Sequence, residues 1–303
     1  MSEYKRVMWL ALALALFPQD AAGSPAYRRV VSTALARAQT RLEAGLVFEA
    51  DHSSWEDPWI VRTPRYEVRT TKSRGQAATL AKSLEFMHAE FEKLLGPAPA
   101  REERHRIWIV PDLAAYNQLG DAHGGDHSSV LGSFYAGEHP ERPVIAMQSN
   151  NPTLLGMWVT HSAAHQYVQS AFGERAPVWV AEGLASYFAL YWDWAYGARE
   201  LARLKQARKL LPLEALLRET LPAYRQGPDV RFIQLGMLFH YLLNSSDITR
   251  DGVDGQPETG PFREFLRSAV RGEDTRQSTV MVALDEAREE LEEGFLEHEF
   301  ESR

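Results

Sequence analysis

Between Thr160 and Gly183 the chain carries two constraints that few folds satisfy together. His161 and His165 are four residues apart. On an α-helix that spacing stacks side chains on one face, one turn apart, so both imidazoles can aim at one point. Downstream, Glu182 interrupts an apolar run, with Val178, Val180, Ala181, Leu184 and Phe188 around it. A carboxylate facing a core is costly unless it is paired or bound to a metal. Two His, one Glu and one position left open make up the donor set of a catalytic-type zinc site. Ten His in 303 residues would give about a third of one such His pair by chance, so the pair by itself is weak. Glu182 is what strengthens it. Two ordinary helix histidines and a solvated Glu are the competing reading.

Bulk properties narrow the function classes. The net charge of −8 and pI of 5.7 argue against a nucleic-acid partner gripped through its phosphates. There is no Cys, which removes disulfides, thiolate zinc sites, a Cys nucleophile and a lipid-anchoring Cys. Lys5 and Arg6 precede an apolar run from Val7 to Phe17, and Pro18, Ala21, Ala22 and Gly23 follow it. That order predicts an export signal over 1–23 and a secreted or periplasmic protein of a bacterial envelope. The competing reading is an uncleaved anchor or a buried helix. No membrane-spanning segment is expected after the signal.

An N-terminal helix and linker are expected over 24–65, and one α+β domain over 66–300. The helix is expected over Ala26 to Leu46, and Trp59 to Thr63 and Tyr66 to Thr71 are β-rich runs split by Pro64. Gly75 to Leu95 reads as a helix stopped by Gly96 and Pro97, Arg106 to Pro111 as a strand, and Asp112 to Leu119 as a short capped helix. Val130 to Ala136 and Pro143 to Gln148 read as a strand pair, lying either at a sheet edge or inside the sheet. Asn151-Pro152 opens the helix with both His. Beyond Glu182, helical spacing predicts Gly197 to Leu211, Pro212 to Leu217, Val230 to Asn244, Pro261 to Val270 and one closing helix, Val282 to Phe300, with a polar loop over Asp247 to Gly260. Strands first and helices after predict a small mixed sheet packed on a helical core, with a mostly helical C-terminal half.

Other stretches carry weaker signals. Asp121 to His127 gathers two His and two Asp, but its paired glycines suit an ordinary polar turn. Gly124-Gly125 lacks the context of a phosphate loop. The aromatics from Tyr187 to Tyr196 suit a core better than a sugar platform, and His240 reads as a packing residue. No Gly-x-Ser-x-Gly elbow is present.

The segment His-x-x-x-His-Gln-Tyr-Val, then Pro-x-Trp-x-x-Glu-Gly-x-Ala-x-Tyr-Phe, resembles the gluzincin metallopeptidases. It is most like the peptidase MA-like group and a related bacterial domain of unknown function (DUF1570). The resemblance runs from about Tyr66 to Leu296 and implies a zincin-like core over 66–300. It implies zinc on His161, His165 and Glu182, and a peptide or protein in the cleft. Three positions depart from the pattern. Ser162 stands where the general-base Glu belongs, and a neutral hydroxyl is a poor proton acceptor near pH 7. Ser186 stands where relatives often carry an acid that steadies a ligand His. Phe232 falls where relatives often carry a Tyr that stabilises the oxyanion. The resemblance therefore implies zinc ligands in place and the usual catalytic partners replaced. This implies a catalytically impaired, peptide- or protein-binding pseudoenzyme. The alternatives are an active zinc peptidase with another base, such as Glu174 or Asp193, and a metal-free structural envelope domain.

Overall fold

Pro64 separates two β-rich runs, and they pair across it. Strand β2 (Trp59–Arg62) is antiparallel to β3 (Tyr66–Thr70), with Val61 opposite Val68. Tyr66, Val68 and Thr70 are buried while Glu67 and Arg69 between them are half-buried, the two-residue alternation of a strand with one face on a core. This is a computed structural model. It describes residues 47–49, 54–98, 103–123, 133–135, 143–173, 176–218, 220, 228–244, 260–275, 278–286, 288–298 and 300. The predicted export signal, the helix expected over Ala26 to Leu46, Gly124 to His127 and nearly all of the expected 247–260 loop lie outside these residues. The chain divides into two units, 1–47 and 48–303, and the site lies in the second.

After β3 comes helix α1 (Arg74–Leu95). Ser73 caps it, accepting from the Gln76 N–H at 3.1 Å. Ala77, Leu80, Ala81, Leu84, Met87 and Phe91 fall on its buried face, and α1 covers β2 and β3. Gly96 ends it at φ +96°, a conformation that a side chain resists. The chain then enters β4 (His105–Val110), parallel to β3, so α1 is the crossover that parallel pairing requires. Strand β6 (Val144–Met147) is parallel to β4, and β5 (Ser133–Tyr135) is antiparallel to β6. With β1 (Val47–Glu49) the mixed sheet runs β1-β2-β3-β4-β6-β5, so β5 is an edge strand among the described residues.

Helix α2 (Leu113–His123) lies on β4 and β6 over a small core of Val110, Tyr116 and Ile145. It continues past Leu119, where the sequence predicted its end. Asp112 caps it, accepting from the Ala115 N–H at 2.9 Å, and Asp121 to His123, expected in a loop, form its last turn. Polar residues on a solvent-facing turn do not stop a helix that has been started well.

The helical half follows the predicted order. Helix α3 (Pro152–Phe172) carries both His, and Asn151 caps it with Pro152 in the first turn. Then come α4 (Val178–Leu190), α5 (Trp194–Gln206), α6 (Leu213–Leu217), α7 (Pro228–Asn244) and α8 (Pro261–Val270). The closing segment, expected as one helix from Val282 to Phe300, is helical over α9 (Thr279–Glu286) and α10 (Arg288–Glu297), and position 287 lies outside the described residues. Helix α9 packs on α8, and α10 packs on α6. The architecture is α+β: a small mixed sheet at one side and a large helical core.

Helix α4 is the centre of that core. It lies between α3 and α7, and Trp179, Val180, Leu184, Ala185, Phe188, Ala189 and Leu190 are all buried. An apolar surface on every side is what a fully enclosed helix needs.

Candidate metal centre

Glu182 sits in the second turn of α4, and α3 crosses it with His161 and His165 on the facing side. The three donor atoms form a nearly equilateral triangle. His161 Nε2 to His165 Nε2 is 3.3 Å, His161 Nε2 to Glu182 Oε2 is 3.4 Å and His165 Nε2 to Glu182 Oε2 is 3.5 Å. Ligand atoms about 2.0–2.1 Å from a tetrahedral ion stand about 3.3–3.4 Å apart. The side chains therefore already hold the spacing of one face of such a coordination shell. This buried trio could hold a metal ion.

The electrostatics agree with that. Burial alone would raise the Glu182 carboxyl, but the His165 and His161 imidazoles outweigh it and hold the group well below the usual carboxylate range. Burial pushes the His161 imidazole below its ordinary value, against the pull of Glu182, which keeps it neutral near pH 7. Neutral imidazole and ionised carboxylate are the forms that bind a metal. Glu182 Oε2 is buried and no donor completes a hydrogen bond to it. Three atoms with lone pairs packed this closely repel unless positive charge lies among them. One proton can bridge one edge of the triangle; a dication serves all three.

Exposure is uneven. The side chains of His161 and Glu182 are 9% and 10% exposed, and that of His165 is 27% exposed. The trio is thus reached from the His165 flank.

Each remaining sequence candidate can be placed. Ser162 is buried beside His161 on α3. Phe232, on α7, puts its ring centroid 5.6 Å from that of His161, so a hydrocarbon ring covers this flank of the site and offers no donor. Ser186, one turn beyond Glu182, is fully buried against α7, where a Cβ on Gly236 would come within 3.1 Å of the Ser186 Cβ. Its Oγ has no hydrogen-bond partner, and neither does His161 Nδ1, so Ser186 holds neither imidazole. Metal-bound His usually has its second nitrogen fixed by such a contact. Asp193 caps α5, accepting from the Tyr196 N–H at 2.8 Å, and is committed to that role. Glu174 lies outside the described residues.

Close packing sets α4 in place. A Cβ on Gly183 would lie 2.1 Å from the Phe239 ring, and a Cβ on Gly236 would lie 2.7 Å from Leu190. Each helix therefore presents a glycine notch to the other, and the residue beside Glu182 is pressed directly on α7. Sequence reasoning recorded Gly183 within a motif but missed this contact. Nothing short of the α4–α7 pairing reveals it.

No protein-family model matches the chain, and no curated protein matches it.

Proposed function

We propose that this is a gluzincin-type, zinc-binding metallopeptidase-like protein whose cleft binds a peptide or protein and hydrolyses it poorly or not at all. The observation that carries the reading is the 3.3–3.5 Å triangle of His161, His165 and Glu182, built on the motif spacing, with Ser162 in the general-base position. His161 and His165 would hold zinc through Nε2 and Glu182 through Oε2. Bound zinc supplies Lewis acidity at the position the protein leaves open. What the chain lacks is the rest of the machinery. Ser162 is no base near pH 7, and Phe232 has no hydrogen to offer an oxyanion. A positioned base alone is worth about two to four orders of magnitude in rate.

The edge strand β5 lies against α3, the helix that carries both His. An extended peptide can pair with such an edge through main-chain hydrogen bonds, with little demand on sequence. We place this activity in a secreted or periplasmic setting, on the strength of the N-terminal charge and apolar pattern.

Two measurements test the proposal. Purified protein is expected to carry close to one zinc per chain, and His161→Ala to carry none. Wild type is expected to show no cleavage of a broad peptide library above background, and Ser162→Glu to gain zinc-dependent cleavage. Zinc-free wild type would exclude the metal, and wild-type turnover at ordinary enzyme rates would exclude the impaired site.

A further inference from the structure

Trp192 lies in the turn between α4 and α5, away from the donor triangle, yet it reaches back to the helix that carries both His. Its Nε1–H donates to Thr160 Oγ1 at 2.8 Å. Thr160 is fully buried and immediately precedes His161. The indole also lies flat on Gly156, one turn earlier. A Cβ at that position would meet the ring carbons at 2.5–2.6 Å. The turn itself is fixed, because the Trp192 N–H donates to Ala189 O and the Asp193 N–H to Leu190 O. The C-terminal end of α4 is therefore tied to α3 by one hydrogen bond and one close contact, just before His161.

The geometry points to Trp192 and Thr160 as positioning residues for the metal centre, a clamp that sets the register of α4 against α3. This inference rests on the metal reading above. Successive helical residues rise about 1.5 Å, so a slip of one residue moves Glu182 by nearly half the length of a triangle edge. The clamp is the fixed point against that slip on the α3 side, opposite the glycine notches that set α4 against α7. Its parts suit the task. The indole N–H has one direction, the Thr hydroxyl sits on a helix backbone, and Gly156 leaves room for the ring.

The test compares zinc affinity and the cobalt(II) spectrum across variants of the full chain, well below each variant's melting temperature. Thr160→Val keeps the shape and removes the acceptor. Thr160→Ser keeps the acceptor. Gly156→Ala leaves the hydrogen-bonding groups and displaces the ring. Outer-shell partners of metal ligands are worth about 10–100-fold in affinity. Thr160→Val and Gly156→Ala are expected to weaken zinc binding by about tenfold or more and to alter the cobalt(II) visible bands. Thr160→Ser is expected to restore both. If Thr160→Val and Gly156→Ala melt earlier but bind zinc within about threefold of wild type with unchanged cobalt(II) bands, the indole merely packs and the inference is overturned. If Thr160→Val fails to fold, Gly156→Ala and Trp192→Phe carry the same comparison. Wild type that binds neither zinc nor cobalt(II) overturns the metal reading itself, and this inference with it.

Discussion

Glu182 is the residue on which the centre turns, because it is the only anion of the trio and is almost fully buried. Glu182→Gln keeps the shape and removes the charge. Zinc affinity is expected to fall by more than about a hundredfold, beyond the range seen for mere outer-shell changes, as measured by competition with a coloured chelator. His88 gives a separate prediction. It is buried, its Nδ1 is 3.1 Å from the Tyr66 hydroxyl, and burial, with Arg65 adding to it, lowers its pKa to about 4. An unfolded His titrates near 6.5. Between those values the unfolded chain takes up the proton and the folded chain does not. The His88 contribution to stability is therefore constant above about pH 6.5 and is lost toward pH 4, by up to about 3 kcal/mol. Urea midpoints across that range are expected to show the slope, and His88→Asn to reduce it. At this scale the three donors that the structure groups together were legible in sequence, since helical spacing and an out-of-place carboxylate are both local signals. The idle hydroxyl of Ser186 and the Trp192–Thr160 bond were not. Both depend on how one helix lies on another, which no window of residues encodes.

Between elements, the tightest contact is Gly183 on Phe239. Gly183→Ala would drive a methyl into a fully buried ring. Overpacking of this kind costs typically about 1–3 kcal/mol. The expected result is a destabilised protein with weakened zinc binding, partly rescued in Gly183→Ala/Phe239→Leu, read from a double-mutant cycle in urea. Most elements could be found in the sequence because their ends are marked: Ser73, Asp112 and Asn151 at starts, Gly96 at a stop. The closing segment was legible as helix because Leu284, Leu291 and Phe295 keep helical spacing, and all three are buried. Where it docks, on α8 and on α6, is a tertiary fact that spacing does not give.

For the whole molecule, a ligand that binds only the folded state stabilises it. Zinc at a hundred times its Kd adds about 2.7 kcal/mol, or roughly 5–10 °C in melting temperature for a domain of this size. Calorimetry with and without a chelator is expected to show that difference in wild type and not in Glu182→Gln. The edge strand supplies a second reading: bound peptide is expected to slow amide exchange at Ser133 to Tyr135. The architecture was predictable from the strand-then-helix order, whereas the β4–β6 neighbourhood, which skips β5, was not. The donors also have a bearing on how the chain folds. The three of them span only 21 positions, from 161 to 182, within two consecutive helices. The parallel strand pairs join residues 39 apart (Tyr66 to His105) and 37 apart (Ile107 to Val144). Shorter loops close at lower entropic cost and form sooner. The donor trio is thus closed by a shorter segment than either parallel pair, and a captured cation would restrain mainly the two helices that carry it.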